Sequence, residues 1–200
     1  MLNGAEAVFA GLADVLCDSS QLNALWTQLP AVDWTQPVEA LKNFTSPFAK
    51  ATQTAQAAKP VWWSSDVNHA FEAADLQSIT KSLQATGYTQ ALDALHKRSP
   101  LMMAVTLEQI RRARYMNLSD ELRMERDMVR HSFHPQHLHR TPAQSDTVEG
   151  IRALAVDKDH APHWSPAHID EVTPEMVTPF FTSPWPAAAH PLRDLQAPAT

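Results

Sequence analysis

Glycine is scarce in this sequence, which holds four glycines in 200 residues where about 7% is usual. Phosphate-cradling loops and oxyanion-hole turns use glycine for tight turns and for close approach of the backbone. The sequence contains no Gly-Gly pair, no GxGxxG and no GxSxG. It therefore predicts no catalytic or phosphate-binding loop of these kinds within these residues.

Cysteine and long apolar runs are also lacking. Cys17 is the single cysteine, so an intrachain disulfide is excluded, and its apolar surroundings favour a small buried residue over a nucleophile. No run of about 18 apolar residues occurs, and the start MLNGAEAVF lacks the basic residues and apolar core of a signal peptide. We expect an intracellular protein with no membrane partner, in the cytoplasm or, in a eukaryote, in the mitochondrial matrix.

Positive charge is too sparse to indicate nucleic-acid binding. The formal net charge is -6, and 44% hydrophobic with 19% charged residues indicates a globular chain. The one basic cluster, Arg111, Arg112 and Arg114, falls in the last turn of a predicted helix, where cations are favoured anyway.

Apolar residues recur at helical spacing along most of the chain, and no alternating strand pattern or internal repeat is present. The clearest local signals are Asp75 as a helix cap, Gly87 as a stop, and Ser99-Pro100 as a capped restart. The predicted fold is mostly α. The predicted helices cover residues 4–13, 20–29, 47–58, 66–72, 75–85, 88–97, 99–114, 118–133, 146–156 and 174–180.

Four histidines, His131, His134, His137 and His139, lie close enough in sequence to suggest a metal site. Pro135 interrupts the helix between them, and neither a neighbouring cysteine nor an HExxH pattern supports zinc. We favour a polar, solvent-facing loop, and the sequence predicts no metal ligand.

Three other groups also favour structural interpretations. Trp62-Trp63 is interpreted as a core anchor in which at most one ring enters a given pocket, because neighbours on a helix or strand face apart. Glu121 and Glu125 share a helix face, as an acid/base pair would, but nothing nearby predicts a dry pocket. Five methionines are interpreted as core filling: Met102, Met103, Met116, Met124 and Met128.

Three ordered blocks of the sequence carry a family resemblance. The first is NGAEAVFAGLAD at 3–14, and the second is SP at 99–100, VTLEQI at 105–110 and LRME at 122–125. The third is the most specific: VEGIRAL at 148–154 and DKD at 157–159, followed by Pro162, Trp164, Pro166 and EVT at 171–173. In this order the blocks resemble the 3-hydroxyisobutyryl-CoA hydrolases of the enoyl-CoA hydratase/isomerase (crotonase) superfamily, in which the first block is similar to the helix and turn that follow the crotonase core.

The resemblance implies the C-terminal helical part of a crotonase-like α/β spiral fold, without the N-terminal ββα core. Residues 1–30 would end that core, 31–181 would form the family's C-terminal helical region, and 182–200 would be an additional Pro-rich tail. The family's oxyanion loops and catalytic carboxylates have their place before residue 1, so no residue here is assigned as catalytic.

The resemblance also implies a ligand and partners. The substrate would be an acyl-CoA, with the CoA as part of the substrate and no separate cofactor, and Lys158 and Trp164 are the positions nearest to the family's contacts with the CoA nucleotide. The expected partner is an N-terminal crotonase half or a second copy of the chain. Two alternatives stay open: a non-catalytic structural subunit derived from the family, and another crotonase activity such as enoyl-CoA hydratase.

Overall fold

A computed structural model describes residues 2–60 and 62–195, and the chain divides into two compact units, Met1–Ser65 and Asp66–Thr200. The described residues contain helices and irregular segments and no strand, which confirms the predicted mostly α fold. The three predicted segments, 1–30, 31–181 and 182–200, were defined by family resemblance and composition, and they stay predictions.

The first unit is built on the packing of its first helix against its last. Its helices are α1 (Gly4–Phe9), α2 (Leu22–Gln28), α3 (Pro37–Thr45) and α4 (Ala49–Ala57), with short 3-10 turns before or after the last three. α1 packs on α4, where Val8 and Ala55 are buried. Leu16 N–H donates to Thr52 Oγ1 over 3.0 Å and fixes the connecting segment to α4.

The second unit contains the longer helices. They are α5 (Ser65–Phe71), α6 (Leu76–Ala85), α7 (Thr89–His96), α8 (Pro100–Ala113), α9 (Leu118–Phe133), α10 (Asp146–Ile151) and α11 (Pro174–Val177). A π-helical turn, Arg152–Val156, continues α10. The rest of the described C-terminal part consists of irregular segments and 3-10 turns, as its many prolines predict.

α8 lies between two apolar clusters of the second unit. Leu101 and Val105 of α8 pack with Met124 and Met128 of α9 and with Phe180. The opposite side of α8 packs on a second cluster of α5 and α6 residues, Ala70, Leu76, Ile79 and Leu83. A helix with apolar residues on two faces is therefore the centre of this unit.

The structure confirms the predicted helix caps. Such caps are predictable because they depend on residues that are neighbours in sequence. Asp75 accepts from Ser78 N–H over 2.7 Å, and Gly87 has φ +71°, the left-handed conformation of a helix stop. Ser99 accepts from Met102 N–H over 3.0 Å at the start of α8. One detail differs: the predicted helices do not include α3, although Pro37 marks its first turn.

Candidate functional site

An apolar cleft with a volume of about 820 Å³ lies in the second unit. This lies in the range of small-molecule sites, about 300–1,000 Å³. Its apolar lining comes from α5, α6, α7, α8 and the α10 segment: Phe71, Leu76, Ile79, Leu95, Met102, Met103, Leu107, Ile110 and Leu154.

The charged groups at this cleft are mostly cationic. Lys97 and Arg98 follow the end of α7, with His96 beside them, and His160 lines the cleft from the loop after α10. The only carboxylate in the lining is Asp146, which is buried. On a chain of net charge -6, two cations against one carboxylate give this lining a net positive formal charge.

Asp146 joins the start of α10 to the start of α8. Its Oδ2 accepts a short hydrogen bond from the Ser99 hydroxyl, and its Oδ1 accepts from Ser165 N–H over 3.1 Å. The Arg140 guanidinium lies 4.0 Å away. Burial raises the pKa of the Asp146 carboxyl, and these hydrogen bonds oppose the rise. Because both oxygens are bonded within the protein, the carboxyl is a structural group at the cleft wall.

Arg152 organises the loop that follows α10. Its guanidinium donates to both oxygens of Glu149 over 2.9 and 2.8 Å, and to Asp157 and Asp159 over 2.7 Å each. These hydrogen bonds lower the pKa of Glu149 to about 2, with a further contribution from His163 N–H, and raise the pKa of Arg152 above its usual value. One arginine thus binds three carboxylates of the 148–159 block.

The two residues predicted to contact CoA both lie on this Arg152-organised loop. Lys158 is exposed, stands between the two aspartates that bind Arg152, and has a left-handed backbone with φ 56°. Trp164 lines the cleft, and its Nε1–H donates to Lys97 O over 3.3 Å. A Cβ on Gly150 would approach the Trp164 ring to 3.3 Å, so a larger residue there would require the ring to shift by a few tenths of an ångström. Contact of either side chain with CoA stays a prediction.

The histidine cluster differs from the predicted solvent-facing loop. The His137 ring packs edge-on against Phe180, with 4.8 Å between centroids, and against His131, with 5.3 Å. Burial lowers the pKa of His137, and the neighbouring His131 lowers it further. Within residues 2–60 and 62–195, no three histidine, cysteine, aspartate or glutamate side chains are placed to hold a metal ion.

The tryptophan pair also departs from expectation. Trp62 and Trp63 lie in a turn, where the alternation of a helix or strand does not apply, and both rings pack edge-on against Phe9. Trp62 Nε1–H donates to Glu6 over 2.8 Å. The prediction that only one ring enters a shared pocket is wrong. Cys17, expected to be buried, is partly exposed.

The methionine and carboxylate interpretations agree with the contacts. Met124 and Met128 are buried in the α8–α9 cluster, and the other methionines of this set pack against one of the two clusters. Glu125 accepts from Gln109 over 3.0 Å on the exposed surface of α9. Arg111 and Arg112 lie in the last turn of α8 and bind Ala73 and Ala74 carbonyls and Glu108.

The roles of Asp146 and Arg152 were not predicted from the sequence. A local signal existed for Arg152, because Glu149 lies three residues before it and two aspartates lie within the next seven. No local signal existed for Asp146, whose partners Ser99 and Ser165 are 47 and 19 residues away.

Comparison with known proteins decides the family. The sequence profile of enoyl-CoA hydratase/isomerase matches residues 1–181. The chain belongs to the enoyl-CoA hydratase/isomerase family. Among its relatives is the mitochondrial 3-hydroxyisobutyryl-CoA hydrolase of Gallus gallus, 28% identical over 88% of this chain and 44% of that protein. The mitochondrial 3-hydroxyisobutyryl-CoA hydrolase of Rattus norvegicus is 27% identical over 91% of the chain and 46% of that protein. The probable 3-hydroxyisobutyryl-CoA hydrolase 3 of Arabidopsis thaliana is 31% identical over 90% and 47%.

The chain of this enoyl-CoA hydratase/isomerase family member thus spans about half the length of the curated relatives it matches. A helical chain with this partial coverage agrees with the predicted C-terminal helical part of a crotonase fold. Among the described residues, no helix has the length and apolar character needed to cross a membrane.

Proposed function

We propose that this chain is the C-terminal portion of an acyl-CoA thioester hydrolase of the 3-hydroxyisobutyryl-CoA type, acting in valine breakdown in the cytoplasm or the mitochondrial matrix. The observation that carries the proposal is the match of nearly the whole chain to that family, in which the relatives named above are 3-hydroxyisobutyryl-CoA hydrolases. The catalytic groups would come from a crotonase core segment of the kind that the family fold contains.

The apolar cleft and its two cationic residues support this proposal. A CoA thioester joins an apolar acyl and pantetheine part to a phosphorylated nucleotide, and the cleft combines apolar walls with Lys97 and Arg98. Lys158 and Trp164 would contact the nucleotide, the lysine through a phosphate and the indole through its ring face. The Arg152-organised loop would hold both in place before the ligand arrives.

Thioester hydrolysis tests the proposal. The purified chain is mixed with 3-hydroxyisobutyryl-CoA, with and without an N-terminal crotonase segment taken from a hydrolase relative, and free thiol release is followed. We expect no activity from the chain alone and activity after complementation. Activity by the chain alone would show that catalytic groups lie within it.

The remaining outcomes separate the alternatives. Hydration of crotonyl-CoA without thiol release would favour an enoyl-CoA hydratase. No activity in either arm, with a stable complex between the two segments, would favour a non-catalytic structural subunit.

The nucleotide contact has its own test in the complemented enzyme. Lys158→Glu is expected to raise KM for the thioester about tenfold while kcat stays near wild type, because a phosphate contact acts in binding. Lys81→Glu, an equal charge change on the exposed side of α6, serves as the control. An equal effect of both variants would contradict a specific contact at Lys158.

A further inference from the structure

One face of α9 carries a polar stripe made of Arg123, Asp127 and His131. These residues are spaced four apart, so they lie one above another on the helix. Each of them contacts the segment 182–195, which we call the tail. The tail begins immediately after residue 181, where the family match ends.

Asp127 is the middle contact of the stripe. Its Oδ1 accepts from the Ser183 hydroxyl and from His190 Nε2–H, each over 3.1 Å. His190 is buried, and its Nδ1 accepts from Leu192 N–H over 3.0 Å. A ring that accepts at Nδ1 and faces a carboxylate at Nε2 is the neutral Nε2–H tautomer. The imidazole is therefore fully bonded by Asp127 on one side and by the tail backbone on the other.

The two outer residues of the stripe, His131 and Arg123, donate hydrogen bonds to the tail backbone. His131 Nε2–H donates to Thr182 O over 2.9 Å, where the tail starts. Arg123 Nε donates to Leu192 O over 3.2 Å, and its Nη2 donates to Leu195 O, where the described tail ends. The stripe therefore holds the beginning, the middle and the end of the segment.

An aromatic contact adds to these polar ones. The Trp185 ring packs edge-on against the His190 ring, with 5.5 Å between centroids. The Arg126 guanidinium of α9 lies 4.9 Å from the centroid of the same Trp185 ring. The tail thus contacts α9 through its own buried imidazole, its indole and its backbone carbonyl groups, and α9 supplies a carboxylate and two guanidinium groups.

We propose that the polar stripe of α9 is a peptide-binding surface, and that the protein's own tail occupies it as a tethered ligand. The ligand class is a proline-containing segment with a 3-10 turn, which presents a histidine to Asp127 and backbone carbonyls to Arg123. The site lies outside the apolar cleft and does not depend on the hydrolase proposal.

Trypsin cleavage of the full chain tests the attachment, because Arg193 is the only lysine or arginine between residues 182 and 195. We expect slow cleavage after Arg193 in the native chain. Asp127→Ala should accelerate it about tenfold or more, since a buried imidazole loses a charged partner. Asp127→Asn keeps an oxygen at this position and should retain most of the protection. Glu121→Ala on the same helix should leave the rate unchanged.

Competition tests the binding surface in the wild-type chain. A synthetic peptide of residues 182–195, with Arg193→Gln so that trypsin does not cut it, is added at millimolar concentration, the range needed against a tethered segment. It should accelerate cleavage of the chain after Arg193, and a scrambled peptide should not. Equal cleavage of wild-type and Asp127→Ala chains, with circular dichroism confirming that both are folded, would overturn the proposal. So would an absence of competition at these concentrations.

Discussion

Replacing Asp146 with alanine tests whether this buried carboxyl holds the start of α8 to the start of α10. The side chain is only 3% exposed and accepts from the Ser99 hydroxyl and from Ser165 N–H. A hydrogen bond to a charged group contributes about 1.5–3 kcal/mol. Removal of the acceptor leaves the buried Ser99 hydroxyl and the partly buried Ser165 N–H without this partner, and relief of the carboxylate's burial offsets part of that loss. We expect Asp146→Ala to lower the free energy of unfolding by about 2–3 kcal/mol.

Matched variants separate the hydrogen bonds from the side-chain volume. Asp146→Asn can turn its amide so that oxygen accepts from Ser165 N–H and nitrogen donates to Ser99, so a loss of about 1 kcal/mol or less is expected. Ser99→Ala removes both this bond and the cap of α8, which is worth about 1 kcal/mol by itself. In the double variant with Asp146→Ala, the losses should be less than additive by about 1.5 kcal/mol or more.

Urea unfolding followed by circular dichroism gives these free energies, and hydrogen exchange of the α8 amides assigns the change to the second unit. The pH dependence of the free energy of unfolding tests the direction of the pKa shift of Asp146. Because its pKa is raised in the folded protein, its contribution to stability rises as pH falls through that pKa and levels off below the unfolded value of 3.8. An alanine variant within about 0.5 kcal/mol of wild type, or an asparagine variant as unstable as alanine, would refute the reasoning.

Two further predictions concern the Arg152–Glu149 ion pair and the contact between Gly150 and Trp164. Arg152→Gln removes the main cause of the low pKa of Glu149, so the value should rise from about 2 toward 4.5 in a carboxyl NMR titration; an unchanged value would mean that the guanidinium is not the cause. In the wild type, the stabilisation from ionised Glu149 is complete above pH 4.5 and is lost as pH falls through about 2. Gly150→Ala should shift the indole N–H resonance of Trp164, whose ring must move away from the new methyl group. Gly87→Ala has open space but φ +71°, and it should cost about 1 kcal/mol without moving that resonance.

The helices were predictable where the signals act over three or four residues. Asp75, Gly87 and Ser99 each act on backbone groups in the adjacent turn, so the sequence is enough to place them. The predicted helices do not include α3, because a proline breaks a helix in its interior but is tolerated in the first turn, where Pro37 stands.

The candidate site was predictable only in part. Trp164 was identified through the resemblance, and the structure places it on the cleft wall. The cleft itself was not predicted, because its lining comes from five helical segments and the loop after α10, and no local pattern records that these segments lie close together. The packing of His137 on Phe180 was missed for the same reason, since 43 residues separate them.

The sequence by itself determined the helical class, the main caps and the family, because helical periodicity, local hydrogen bonds and ordered motifs are all written along the chain. The tertiary structure determined which polar and charged side chains contact one another. It buried Asp146 and thereby raised its pKa, and it attached the tail to the polar stripe of α9. These features join residues between 19 and 72 positions apart, and only the packing of distant segments of the chain brings such residues within hydrogen-bonding distance.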